Sequence, residues 1–202
     1  GAVRLKKLPA ICTGLNMPAI ALTDTNNMFA ALEFSVAASG AGVQPIIGCQ
    51  IDLHYDEMSS GQGSWSQIIR PAPIVLLAQT ERGYKNLIQL NSRLYLRGDG
   101  QPVHVTLPDL AAHAEDVICL TGGPNGPLGR LLGDGQRTSA ETLLRQLKDY
   151  FGTQLYVELQ RHRSENGVSE AEQLTERGHL ELAYALGVPL VATNDVYFPA
   201  AE

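Results

Sequence analysis

The chain predicts an α/β fold, and two features of its pattern say so. Short apolar runs alternate with longer stretches of helical periodicity, and polar residues collect just beyond the apolar runs. A strand followed by a helix, repeated, favours a parallel sheet covered on both faces, because each helix returns the chain to the start of the next strand. An open doubly wound sheet and a barrel both satisfy that pattern.

The elements follow in order. Residues 6–15 read as a helix that stops near Gly14 or Asn16. Residues 18–23 form a short apolar strand whose Pro18 sits at the start, where a missing N–H matters least. Residues 27–38 place Met28, Ala31, Leu32 and Val36 at helical spacing ahead of Gly40 and Gly42. Residues 43–53 are a strand that can bend at Gly48. The stretch from Asp56 to Pro71 is polar, rich in Gly and Ser, and holds the sole tryptophan, Trp65; it predicts an exposed insertion loop or hairpin tip. Residues 74–78 are a buried strand, and 81–97 a helix with Tyr84, Leu87, Ile88, Leu90 and Leu94 as its apolar set. Residues 107–112 are a short helix with Pro108 in its first turn. Residues 117–120 are a strand, and the run TGGPNGP at 121–127 reads as a tight turn. Residues 138–151 are a helix capped by Thr138 or Ser139, with Leu143, Leu144 and Leu147 inward. A strand at 155–159, a long amphipathic helix at 169–186 closed by Gly187, and a last strand at 188–193 complete the chain.

Composition removes other classes. With 202 residues, 44% hydrophobic and 18% charged, the chain is too apolar to be disordered and long enough for a sizeable core. No apolar run approaches the roughly 20 residues of a membrane span. Three scattered cysteines, Cys12, Cys49 and Cys119, are no disulfide scaffold and read as buried core thiols. The five histidines show neither HxH nor HExxH spacing. A net charge of −6 argues against nucleic-acid binding by this piece alone, and Arg145, Lys148, Arg161 and Arg163 are too few for a phosphate track. Mean hydropathy of −0.06 and a pI near 5.4 fit a soluble, cytoplasmic protein. The chain opens inside a helical pattern and closes just after a strand, so both ends read as cuts in a longer protein.

Polar residues end the apolar runs: Thr23 and Asp24, Cys49 and Gln50, Thr121 and Gly122, and Thr193, Asn194 and Asp195. In α/β folds the carboxyl ends of strands converge on one mouth, where sites form. From the residues alone this set is chemically weak. Asp24 and Asp195 could share a divalent cation, yet each equally serves as a loop or helix-capping acceptor. Glu158, Gln160 and His162 alternate onto one strand face, as a buried polar network or as acid/base groups.

Several strings carry a resemblance: PAIALTD at 18–24 with NMFAALEF at 27–34, PIIGC at 45–49, VLLA at 75–78 with GYKNL at 83–87, LTG at 120–122, YVELQRH at 156–162 and VATND at 191–195. Each alone is weak. In this order they resemble the PHP (polymerase and histidinol phosphatase) domain, in the form found at the N-terminus of the α subunit of bacterial replicative DNA polymerase III. The resemblance spans residues 1–202 as one domain. It implies a seven-stranded (β/α) barrel related to the TIM barrel, here lacking its first strand. Active members hold a trinuclear metal cluster at the mouth and hydrolyse phosphoesters, in some polymerases as a proofreading 3′→5′ exonuclease.

The departures from the family pattern decide the functional expectation. The family's HxH and a nearby acidic ligand fall before Gly1. Where the family carries His, Glu, His and Cys, this chain has Thr25, Gln50, Pro73 and Gly123, and the final Asp–His pair is Asp195 with Tyr197. Thr, Gln, Pro and Gly do not supply the charge and nitrogen donors a cluster of divalent ions needs. The expectation is therefore a domain without catalytic residues, cofactor or metal of its own, with Asp24 and Asp195 as the remaining weakly binding mouth. The parent polymerase would use Mg²⁺ in a downstream segment. The resemblance implies as partners a separate proofreading exonuclease subunit, other replicase subunits, and DNA through the rest of the polymerase, with no membrane. Two alternatives stand beside this: a residual metal-dependent phosphoesterase or 3′→5′ exonuclease at Asp24, Gln50 and Asp195, and a free-standing PHP-like binding protein.

Overall fold

The computed structural model describes residues 3–55, 71–96, 103–164, 167–194 and 196, with the backbone alone at 163, 164, 167 and 168. In chain order the helices are α1 (Leu8–Gly14), α2 (Ala31–Gly40), α3 (Glu81–Leu96), α4 (Leu107–Ala112), α5 (Pro127–Gly133), α6 (Arg137–Phe151) and α7 (Glu170–Leu186). The strands are β1 (Ala19–Leu22), β2 (Gln44–His54), β3 (Ala72–Ala78), β4 (Val105–Thr106), β5 (Val117–Leu120), β6 (Leu155–Gln160), β7 (Arg163–Ser164), β8 (Gly167–Val168) and β9 (Leu190–Thr193). Seven strands form one sheet in the order β1-β2-β3-β5-β6-β9, with β4 joined to β2; β7 and β8 make a separate small hairpin.

The sheet is mixed, which corrects the expectation of a parallel one. β3 runs antiparallel to both β2 and β5, while β1–β2, β5–β6 and β6–β9 are parallel. The reason is topological. Parallel neighbours need a crossover, which α2, α6 and α7 supply. β3 pairs antiparallel with β2 over Ala72–Leu77 and with β5 over Val75–Ala78, so it enters the sheet from the opposite end. The predicted loop at 56–71, with Trp65, lies outside the described residues save for Pro71.

Each strand alternates between two faces. Cys49, Ile51 and Leu53 of β2, Ile74 and Leu76 of β3, and Leu155 and Val157 of β6 are fully buried, in one core with Leu87 and Leu90 of α3 and Leu144 and Leu147 of α6. A smaller cluster of Cys12, Phe34, Ala38 and Val43 packs α1 and α2 under β1. The opposite, concave face is half-buried: Gln50, Asp52, Val75, Tyr156 and Gln160 alternate with the core residues. All three cysteines are buried and free.

Other element boundaries moved for local reasons. The helix expected from residue 27 starts at Ala31, because Asn27 forms a turn in which its side chain accepts the Phe29 N–H. The N-cap of α6 is Gln136, not Thr138 or Ser139. The glycine–proline run at 121–127 is a turn, but Pro127 then opens α5 at a helix's first position, where its missing N–H is harmless. In α4, Thr106 and Asp109 form a reciprocal capping box.

His179 on α7 introduces a pH dependence. It is 1% exposed, and its Nδ1 bonds the Thr175 carbonyl at 2.9 Å while Nε2 has no partner among the described residues. Burial holds its pKa below the ordinary 6.5, against smaller opposing effects of Thr175 and Glu176. The unfolded chain therefore takes up a proton before the folded one does. This stability is intact above pH 6.5 and is lost as pH falls from 6.5 toward the lowered folded value. Melting temperatures between pH 7 and 5 are expected to fall, and His179→Leu is expected to flatten that slope.

Candidate functional site

The strand register gathers the sequence-predicted positions at one end of the sheet. Thr25 bridges to Gln50 beside the end of β1. Pro73 opposes Asp52 across β2 and β3, and Val75 opposes Leu120 of β5, so the start of β3 meets the turn that follows β5. Gln160 opposes Thr193 across β6 and β9. Thr25, Gln50, Pro73 and Gly123 thus line one mouth. Asp195 and Tyr197 lie outside the described residues, so the proposed pairing of Asp24 with Asp195 does too.

On the β1–β2 side, Gln50 and Thr25 are joined by a side-chain hydrogen bond. The Gln50 amide donates to Thr25 Oγ1 at 3.1 Å, and the Gln50 N–H donates to the Asp24 carbonyl at 3.1 Å. The neighbouring Asn26 and Asp52 interlock in the same way. Asn26 Nδ2 donates to Asp52 Oδ2 at 2.8 Å, and the Asp52 N–H donates to Asn26 Oδ1 at 3.1 Å. The helix-capping role open to Asp24 is not taken, since the N-cap of α2 is Ala30 without a side-chain bond. Cys49 sits directly behind, its thiol against the Asp24 and Asn27 carbonyls at 3.3 and 3.4 Å. Burial above all pushes that thiol up to about 12, so it stays a protonated core group rather than a thiolate ligand.

On the β5–β6 side, Glu158 is the hub. It is 3% exposed and accepts the Gly122 N–H at 2.9 Å, the Gln160 amide at 3.3 Å and the Thr193 hydroxyl. Thr121 accepts the Glu158 N–H at 3.0 Å, tying the two strand ends together. Every donor to this carboxylate is neutral. Gly122 (φ +81°) and Gly123 (φ +57°) lead the turn past it. A Cβ on Gly123 would lie 2.9 Å from the Gln160 side chain, so the Gln160 amide occupies the space beside that position.

The strand-face reading of Glu158, Gln160 and His162 holds for the first two only. β6 ends at Gln160, and His162 turns to α7, where its N–H and Nδ1 both meet Glu172, the ring contact at 2.6 Å. These two with Pro124, Asn125, Gln160 and Ser169 line a recess of about 300 Å³ beside the mouth. Arg161 is held by Glu176 in a two-pronged ion pair at 2.8 and 2.6 Å, and Arg145 by Glu141, so neither is a free phosphate contact. The roles of Thr193 and of the Asn26–Asp52 pair were not foreseen; only the register of β6 with β9 and of β1 with β2 brings their partners close.

Among the described residues, the chemistry of this donor set does not match a cluster of divalent cations. Such a cluster needs imidazole, carboxylate or thiolate groups converging with free lone pairs. Among the described residues no group of three or more His, Cys, Asp or Glu is placed to hold a metal ion. No described helix is long and apolar enough to cross a membrane.

The chain is 41% identical over 199 residues to DNA polymerase III subunit alpha of Caulobacter vibrioides, covering 98% of this chain and 17% of the relative. It is 36% identical over 207 residues to that subunit of Pseudomonas aeruginosa, covering 100% and 16%. The chain thus spans about one sixth of the length of these relatives. Among solved structures, an amidohydrolase from Chromobacterium violaceum with bound sulfate and no metal superposes with a TM-score of 0.54 at 14% identity, over 96% of this chain and 82% of that one. That likeness places the curled sheet and its helices among TIM-like barrels, as a partial barrel. Residues 1–162 match the PHP domain family, and the chain belongs to it.

Proposed function

We propose that this chain is the PHP domain of a bacterial replicative DNA polymerase α subunit, kept as a structural and docking module without hydrolytic chemistry. The longer polypeptide would be a cytoplasmic DNA-directed nucleotidyltransferase using Mg²⁺ in a separate segment. Its proofreading would fall to an exonuclease subunit docked on this domain.

One observation carries the reading: Thr25, Gln50 and Glu158 of the mouth are hydrogen-bonded to groups of the mouth itself. Thr25 and Gln50, at positions where active relatives of the resemblance carry ligands, are bonded together. The buried Glu158 is satisfied by an N–H, an amide and a hydroxyl rather than by cations. A carboxylate with its lone pairs so engaged has little to offer an incoming ion, and the remaining Asp24 and Asp195 would give at most weak, largely hydrated binding.

The test is hydrolysis of a generic phosphodiester and of a 3′-end-labelled strand with added Mn²⁺. Turnover at the level of buffer, unchanged by Asp195→Ala, is expected. Turnover well above buffer that disappears in Asp195→Ala would replace this reading with a metal-dependent phosphoesterase.

A further inference from the structure

The described cations are almost all engaged, and the exceptions stand side by side. From Arg82 to Arg177, each arginine or lysine whose side chain is described pairs with a carboxylate or donates to a backbone carbonyl. Arg4, Lys6 and Lys7 make no such bond among the described residues, and all three are exposed. Their placement follows from the local sequence. Leu5–Lys7 form a 3₁₀ turn ahead of α1, and the Lys7 N–H bonds the Arg4 carbonyl at 2.8 Å. The turn brings Arg4 beside Lys7, because residues three apart share a side of a 3₁₀ turn. Leu5 and Leu8, also three apart, pack inward on the cluster of Cys12, Phe34, Ala38 and Val43. These apolar anchors fix the turn and leave its cations outside. The neighbouring α2 offers a single acid, Glu33, which makes no ion pair among the described residues. Three like charges are therefore held within one turn, with no described carboxylate in contact to offset them.

We infer that Arg4, Lys6 and Lys7 form a contact for the phosphate backbone of DNA. The inference rests on the proposed replicase reading, in which DNA is the polyanion the long polypeptide must hold. The make-up of the trio favours phosphate over a protein partner. Two of the three are lysines, which protein–protein interfaces deplete, whereas phosphate oxygens take Lys and Arg alike. Exposed, unpaired cations of this kind position a backbone without reading its bases. The domain's net charge of −6 repels a phosphate chain elsewhere, so the contact is confined to this turn.

The experiment measures binding of a fluorescent primer–template DNA to the complete polypeptide that contains this sequence, by anisotropy between about 50 and 200 mM salt. The triple variant Arg4→Ala, Lys6→Ala, Lys7→Ala is expected to weaken binding of unrelated DNA sequences alike, at an unchanged melting temperature. Its slope of log K against log salt is expected to fall by about 2–3, since each phosphate contact contributes roughly 0.7–0.9. The charge-keeping variant Arg4→Lys, Lys6→Arg, Lys7→Arg is expected to retain the slope. Arg145→Ala with Arg177→Ala removes cations already paired with carboxylates and is expected to leave it unchanged. A fall of less than about 1 in the alanine variant overturns the inference, because weaker binding at a constant slope marks a structural role. Loss of an acidic protein subunit from that variant, with its DNA slope intact, assigns the turn to that subunit and overturns the inference as well. A wild-type polypeptide that holds no primer–template at any salt would instead sink the replicase reading itself.

Discussion

Glu158→Ala is expected to be among the most destabilising single changes in the mouth, by about 3–4 kcal/mol, seen as a drop in the urea midpoint at unchanged slope. The side chain is buried and accepts bonds from Gly122, Gln160 and Thr193. Its removal leaves the buried Gly122 N–H and the half-buried Thr193 hydroxyl without their acceptor, and each buried orphan costs about 1–3 kcal/mol. It also uncouples the ends of β6 and β9, which meet at Gln160 and Thr193. Glu158→Gln keeps the volume and one acceptor oxygen but turns an NH₂ group toward donors, so roughly half the loss is expected. A loss below about 1 kcal/mol for the alanine variant would mean that the carboxylate is not the organiser of the mouth.

Gly122→Ala is expected to cost about 3 kcal/mol or more and to lower the yield of folded protein. Two independent effects add. The residue sits at φ +81°, a region that L side chains avoid. A Cβ there would also lie 1.9 Å from the Pro73 carbonyl oxygen and 2.9 Å from Gly126 Cα, both backbone atoms that cannot rotate away. The turn after β5 and the start of β3 must approach this closely for the mouth to form. Gly135→Ala is the control: φ is +70° but nothing stands within 4 Å, so only the backbone term of about 1 kcal/mol is expected. Equal losses for the two variants would show that the contact with Pro73 does not matter.

Much of the fold was legible because its signals are local. The 3.6-residue period of α7 and its Gly187 stop, and the apolar runs of β5 and β6, each need only neighbours along the chain. The direction of β3 did not follow from its own sequence, since Ile74–Ala78 reads the same in either orientation. The orientation is set by its pairing with β2 and β5 across the sheet. α5 was hidden because a Gly- and Pro-rich run reads as a turn even where Pro127 starts a helix. For the mouth, alternation gave Glu158 and Gln160 a shared face, but the partners that satisfy Glu158 come from β5 and β9. That pairing depends on sheet register, which no single segment encodes. His162 was misplaced for a related reason: the alternation was continued past the end of β6, where Glu172 of α7 takes over its hydrogen bonds.

On the proposed reading, the mouth has exchanged metal ligation for hydrogen bonds among its own side chains. Elemental analysis of the purified protein tests it most directly, after incubation with Mn²⁺ and Zn²⁺ followed by exhaustive dialysis. Clearly substoichiometric metal is expected, with Asp195→Ala leaving the content unchanged. Several ions retained per chain, and released by Asp195→Ala, would contradict it.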